Sequence, residues 1–85
     1  MTIEEAKARQ EEIAKYYNLS WWYGTECEKC CEVYPKAEFE GNHACADIYY
    51  ICEVCGKRTK GYEMAWLARE AWNKGEYMQG QIRLF

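Results

Sequence analysis

Two Cys-x-x-Cys pairs, Cys27 with Cys30 and Cys52 with Cys55, are separated by residues 31–51 in a chain of 85 residues. No other feature constrains the fold as much. Each pair reads as a tight turn that aims two sulfurs at one point, and two such turns make a closed tetrahedral site of four thiolates. Gly56, directly after the second pair, supplies the backbone freedom that such a turn uses. A domain of this size gains little stability from its apolar core alone, and a structural metal commonly makes up the difference. The spacing therefore predicts one structural zinc ion held by Cys27, Cys30, Cys52 and Cys55. A site with all four positions taken by protein leaves none for water or substrate, so this zinc is not a catalytic one.

Six cysteines in a secreted chain would suggest disulfides. Here the charged N-terminal stretch, Met1 to Glu12, lacks the basic and then apolar segments of an export signal, so the expectation is a reducing, cytoplasmic setting. Two cysteines remain outside the assigned set. Cys31 adjoins Cys30 and is an alternative ligand to it, and Cys45 reads as a buried thiol packing as a small hydrophobe. His43 is the only histidine and lies outside both pairs, which makes it a lesser alternative ligand. With one histidine and one aspartate, no phosphate-cradling glycine loop and no nucleophile with an oriented base, the chain does not read as an enzyme.

Around the cysteines the sequence predicts a small α+β metal-bound domain, a zinc ribbon with a short antiparallel sheet flanked by an N-terminal and a C-terminal helix. Thr2 followed by Glu5 is a capping box, and Ile3 to Tyr17 contains neither Gly nor Pro. Ala6, Gln10, Ile13, Ala14 and Tyr17 form the stripe by which this helix packs, and Asn18 stops it. Ala37 to Glu40 and Ala46 to Ile51 read as two strands around Gly41-Asn42, with a third from Arg58 to Tyr62. Glu63 to Asn73 turns helical and ends at Lys74-Gly75. The whole chain is one domain: residues 1–23 the helix and an aromatic segment, 24–62 the ribbon, 63–75 the second helix and 76–85 a tail.

Charge and aromatics bear on partners. The net charge of −3 divides into −1 for residues 1–23, −5 for 24–55, +3 for 56–75 and 0 for 76–85. An acidic chain of this kind is poorly suited to non-specific binding of nucleic acid. Tyr16, Tyr17, Trp21, Trp22 and Tyr23 crowd one short stretch and serve either as core or as a recognition surface. Trp21, Trp22 and Tyr23, with Glu26, Glu28 and Glu32, are the candidate partner-binding residues, and Glu38, Glu40 and Asp47 extend the acidic face toward the Lys and Arg of a protein partner. The aromatic segment is also a candidate homodimer contact. Lys57, Arg58 and Lys60 follow the second pair and are the one plausible set of phosphate contacts, the basis of an alternative nucleic-acid-binding function with aromatic stacking.

The order CxxC, a spacer of strand character, CxxCG and then a helix ending Ala-Trp-Asn resembles the small phage and prophage restriction-alleviation (Lar-like) zinc-ribbon proteins. Cys27, Cys30, Cys52, Cys55 and Gly56, then Ala68, Ala71, Trp72 and Asn73, are the residues that match, over about residues 25–75. The family usually has Cys-Pro-Phe-Cys-Gly at the first pair, where this chain has Cys-Glu-Lys-Cys-Cys. The resemblance implies a non-enzymatic accessory protein of phage origin that binds a host protein, a restriction or other antiphage nuclease complex, and modulates that defence. It also implies that Trp72 packs on the ribbon and that the Asn73 amide caps backbone near a knuckle.

Overall fold

A computed structural model describes residues 1–41 and 46–77. His43 and Cys45, Asn42 of the expected turn and residues 78–85 of the tail lie outside the described residues.

The first helix, α1, runs Ile3–Tyr16. Its start is the capping box: Glu5 N donates to Thr2 Oγ1 at 3.1 Å and Thr2 N donates to Glu5 Oε1 at 3.0 Å. The bond from the Thr2 N–H also holds the Glu5 carboxyl below its ordinary pKa. Asn18 does not end this helix directly. Its side chain accepts from Ser20 N at 3.1 Å and caps a short 3-10 turn, Leu19–Trp21.

Packing of α1 rests on fewer residues than the expected stripe. Ala6 and Gln10 are buried, Ile13 is half-buried, and Ala14 and Tyr17 are exposed. Gln10 Nε2 donates to Tyr34 O at 3.0 Å and Gln10 Oε1 accepts from Tyr34 N at 3.1 Å. The side-chain amide thus substitutes for a strand partner along the Tyr34 backbone, which explains a buried glutamine on the packing face. Lys7 to Glu32, at 3.2 Å, ties the same helix to the turn that follows the first cysteine pair.

The sheet has two strands, β1 (Lys36–Glu40) and β2 (Asp47–Ile51), antiparallel with Lys36 opposite Ile51 and Glu40 opposite Asp47. Short pieces of chain extend it on both sides. Gly24 N donates to Pro35 O and Ala37 N to Trp22 O, both at 2.8 Å, so residues 22–24 line β1. On the other side Ile48 and Tyr62 exchange two bonds of 2.8 Å, and Ile51 bridges Arg58.

The segment 58–62, expected as a third short strand, forms β-bridges only at its ends. Its five residues face four of β2, the arrangement of a bulge. Thr59, fully buried, fills the gap: its N–H donates to Tyr50 O at 3.0 Å, its Oγ1 accepts from Tyr50 N at 3.3 Å, and the same hydroxyl donates to Lys60 O at 2.9 Å.

The second helix, α2, runs Ala65–Lys74 and packs on β2 through Ala68, Ala71 and Trp72. It begins two residues later than expected, after Met64, an N-cap residue that makes no side-chain hydrogen bond. It ends at Gly75, whose φ of 81° is the left-handed conformation that glycine adopts without a steric penalty. Cys27, Tyr50, Cys52, Ala68 and Trp72 make the core. No helix among the described residues is long and apolar enough to cross a membrane.

Candidate metal centre and the surfaces around it

The second cysteine pair forms the expected knuckle. Gly56 N donates to Cys52 O and Cys52 N donates to Lys57 O, both at 2.9 Å, and Gly56 has φ +82°. The first pair is built differently. Cys30 N donates to Val33 O at 2.9 Å and Val33 N to Cys30 O at 3.2 Å, closing a two-residue turn. Its central residues, Cys31 and Glu32, have φ of 56° and 67°, the signs that a type I′ turn requires. Cys31 therefore holds, relative to Cys27 and Cys30, the left-handed position that Gly56 holds relative to Cys52 and Cys55.

That turn decides which sulfurs meet. Cys30, Cys31, Cys52 and Cys55 converge, with all four Sγ atoms within 4.8 Å of one another, and they could hold a metal ion. Cys30 Sγ lies 3.8 Å from Cys31 Sγ and 3.7 Å from Cys55 Sγ. A metal bonded to four sulfurs at about 2.3 Å in a tetrahedron places them about 3.8 Å apart, so the spacing fits such an ion. Cys52 is buried and Cys55 exposed, so the cluster sits at the edge of the core with one side toward solvent.

Of the expected set Cys27, Cys30, Cys52 and Cys55, the structure gathers the last three with Cys31, which the sequence offers only as a substitute for Cys30, and Cys27 lies outside this cluster. The reason is local. Cys27 N turns back to Gly24 O at 3.0 Å and not forward across the pair. Its thiol is buried in the core, under Gly24, where an added Cβ would meet Cys27 Sγ at 2.6 Å and Tyr50 Cε1 at 2.9 Å. Burial pushes the Cys27 thiol up to about 11, as for a thiol that packs as a small apolar group.

Within the cluster the thiols affect one another. Burial, followed by the neighbouring Cys55 and Cys52 thiols, pushes Cys30 well above the ordinary thiol range. Burial also acts to raise Cys55, but the Lys57 N–H and the Cys30, Cys52 and Cys31 thiols outweigh it and leave Cys55 below its usual value. These donors favour the thiolate of Cys55, and the thiolate is the form that binds metal.

Trp72 and Asn73 hold the approach to the first pair. Trp72 Nε1 donates to Glu28 O at 2.8 Å, and Asn73 Oδ1 accepts from Glu28 N at 2.8 Å. The packed ring and the capping amide that the resemblance implied are both present.

The aromatic segment divides. Tyr23 was a candidate for partner contact and is instead core, 3 % exposed, with its hydroxyl donating to Glu53 Oε1 at 2.9 Å. Trp21 and Trp22 remain outside, at 65 % and 40 % exposure. They meet edge to face at 5.6 Å between ring centroids, and Tyr17 meets Trp22 at 5.7 Å. The split follows from the 3-10 turn, which leaves Trp21 and Trp22 at its solvent side and delivers Tyr23 into the bridge with Lys36.

Four of the acidic candidates, Glu26, Glu32, Glu38 and Glu40, are tied to cations within the chain. Glu26 pairs with Arg69 at 3.1 Å, Glu32 with Lys7, and Glu38 with Lys36 at 2.8 Å. The basic set forms no open stripe. The Arg58 side chain is 13 % exposed, pairs with Glu40 at 3.0 Å and stacks 3.5 Å from the Tyr49 ring centre. Lys57 and Lys60 lie over Tyr77 and Tyr62.

No protein-family model, curated protein or solved structure matches the chain.

Proposed function

We propose that the chain is a non-enzymatic zinc ribbon that works by binding another protein. The observation that carries this reading is the exposed stack of Tyr17, Trp21 and Trp22. Large aromatic rings are costly to leave in water, and a rigid, exposed group of them is typical of an interface centre. The four-thiolate cluster has the donor set and spacing of a structural zinc site, which makes the ion a staple and leaves the surface to do the work. Zinc also compensates for the two left-handed residues of the Cys30–Val33 turn, each worth about 1–2 kcal/mol of strain.

The partner we propose is a host protein of a nucleic-acid-directed defence system, in a restriction-alleviation-like role. The order of CxxC, CxxCG and Ala-Trp-Asn supports it, as does the acidic balance of residues 24–55, which suits a partner whose channel is lined by Lys and Arg. Capture of proteins from nuclease-treated bacterial lysate by the tagged chain tests this reading. A stoichiometric partner from such a system, lost when Trp21 and Trp22 are both changed to Ala, is the expected result. Nucleic acid captured in place of protein, or a partner held equally by the double variant, overturns it.

A further inference from the structure

Beside the aromatic stack, α1 and the 22–24 segment leave a groove lined by Arg9, Ile13, Tyr17, Trp22, Tyr23 and Lys36. Arg9 and Ile13 lie one turn apart on one face of α1, and Tyr17, the extended cap residue just past its end, continues that line to a length of about 12 Å. The floor is apolar, made by Ile13 and the rings of Tyr17, Trp22 and Tyr23. The two ends of the wall are not: Arg9 comes from α1 and Lys36 from β1, far apart in sequence and brought to the same groove.

Both cations keep donors to spare. Arg9 reaches Glu53 only at 3.7 Å, and that carboxylate already accepts the Tyr23 hydroxyl through its other oxygen. A guanidinium has five N–H donors, so most remain for another group. Lys36 gives one bond to Glu38, whose own side chain is on the open side of the strand, and its ammonium has two further protons. In a chain of net charge −3, an apolar floor bracketed by two cations is the reverse of the prevailing surface.

The geometry points to this groove as the seat of a short segment of the partner protein, one that carries a bulky apolar side chain flanked by carboxylates. The apolar side chain lies against Ile13 and Trp22, and the carboxylates meet Arg9 and Lys36. A length of about 12 Å accommodates roughly four residues in an extended conformation. This inference rests on the proposed protein-binding function and adds the chemistry of what is bound.

The test is selection of a displayed library of random short peptides on the full, metal-loaded chain, followed by affinity measurement of the enriched peptides on variants. The expected result is enrichment of sequences with Leu, Phe or Trp next to Asp or Glu, whose binding is abolished by Trp22→Ala. The pair Arg9→Gln with Lys36→Gln weakens it roughly fivefold or more, an effect that salt mimics. Enriched peptides without acidic residues, or binding indifferent to the Arg9 and Lys36 changes while still lost in Trp22→Ala, overturn the acidic segment and leave aromatic docking standing. Absence of any enrichment sensitive to Trp22→Ala overturns both. Unchanged metal content and helix content in each variant separate a lost contact from a lost fold.

Discussion

The indole N–H of Trp72 donates to the carbonyl oxygen of Glu28 at 2.8 Å, and the next residue, Asn73, accepts from the Glu28 N–H. One residue between the first two cysteines is therefore gripped by α2 through both its backbone N–H and its backbone C=O. Trp72→Phe keeps a buried ring and deletes the donor. We expect a loss of about 1–2 kcal/mol in stability, the cost of one unmade buried hydrogen bond, measured by urea unfolding of the metal-loaded protein. A loss near zero would mean that water replaces the indole.

Gln10 should matter to α1 more than any apolar residue on that helix. Gln10→Leu has similar volume and leaves the Tyr34 N–H and C=O without their partners, at about 1–3 kcal/mol. Amide hydrogen exchange is the measurement: protection of the Tyr34 N–H should fall together with that of α1, while β1 and β2 keep theirs.

The ligand set can be read spectroscopically. Cobalt substituted into the site should give the intense sulfur-to-metal bands of a four-thiolate tetrahedron in the unaltered chain and in Cys27→Ser. Cys31→Ser should lose intensity and bind metal at least tenfold more weakly, as thiolate loss removes a first ligand. The reverse pattern would restore Cys27 to the set.

Glu32 occupies a left-handed position that suits glycine. Glu32→Gly should stabilise the protein by about 1 kcal/mol, because the strain relieved exceeds the surface pair with Lys7 that is lost. Thermal unfolding of the metal-loaded variant checks the sign.

Tyr23 gives a pH dependence. Burial, reinforced by the adjacent Glu53 carboxylate, raises its hydroxyl from the ordinary 10 to about 12. A phenol harder to ionise in the folded state than in the unfolded one contributes stability that is complete below pH 10 and is lost as pH rises toward 12. Tyr23→Phe should remove that part of the alkaline loss, seen as a flatter stability profile between pH 10 and 12.

Local signals made much of the fold legible. The Thr2 and Glu5 capping box fixes the start of α1, Gly75 fixes the end of α2, and residue types on either side of Gly41 mark β1 and β2. The grip of Trp72 and Asn73 was legible through the Ala-Trp-Asn pattern. What escaped depends on backbone sign and on which side of a turn faces inward. CxxC spacing treats Cys31 as a bystander, because nothing in residue type says that a cysteine will adopt the left-handed φ of a knuckle glycine. Five aromatics in a short stretch carry no periodicity that separates the buried Tyr23 from the exposed Trp21, since a 3-10 turn sets their directions. The segment 58–62 has strand-forming residues, yet its extra residue against β2 breaks the regular ladder in the middle, and Thr59 partners Tyr50 with its N–H on one side and its hydroxyl on the other.

All four clustered thiols, Cys30 to Cys55, precede the α2 residues that grip the Glu28 backbone. Donors and latch thus lie on different stretches of the chain, and a chain truncated before α2 would keep every clustered sulfur but lose the bolt on the loop beside them.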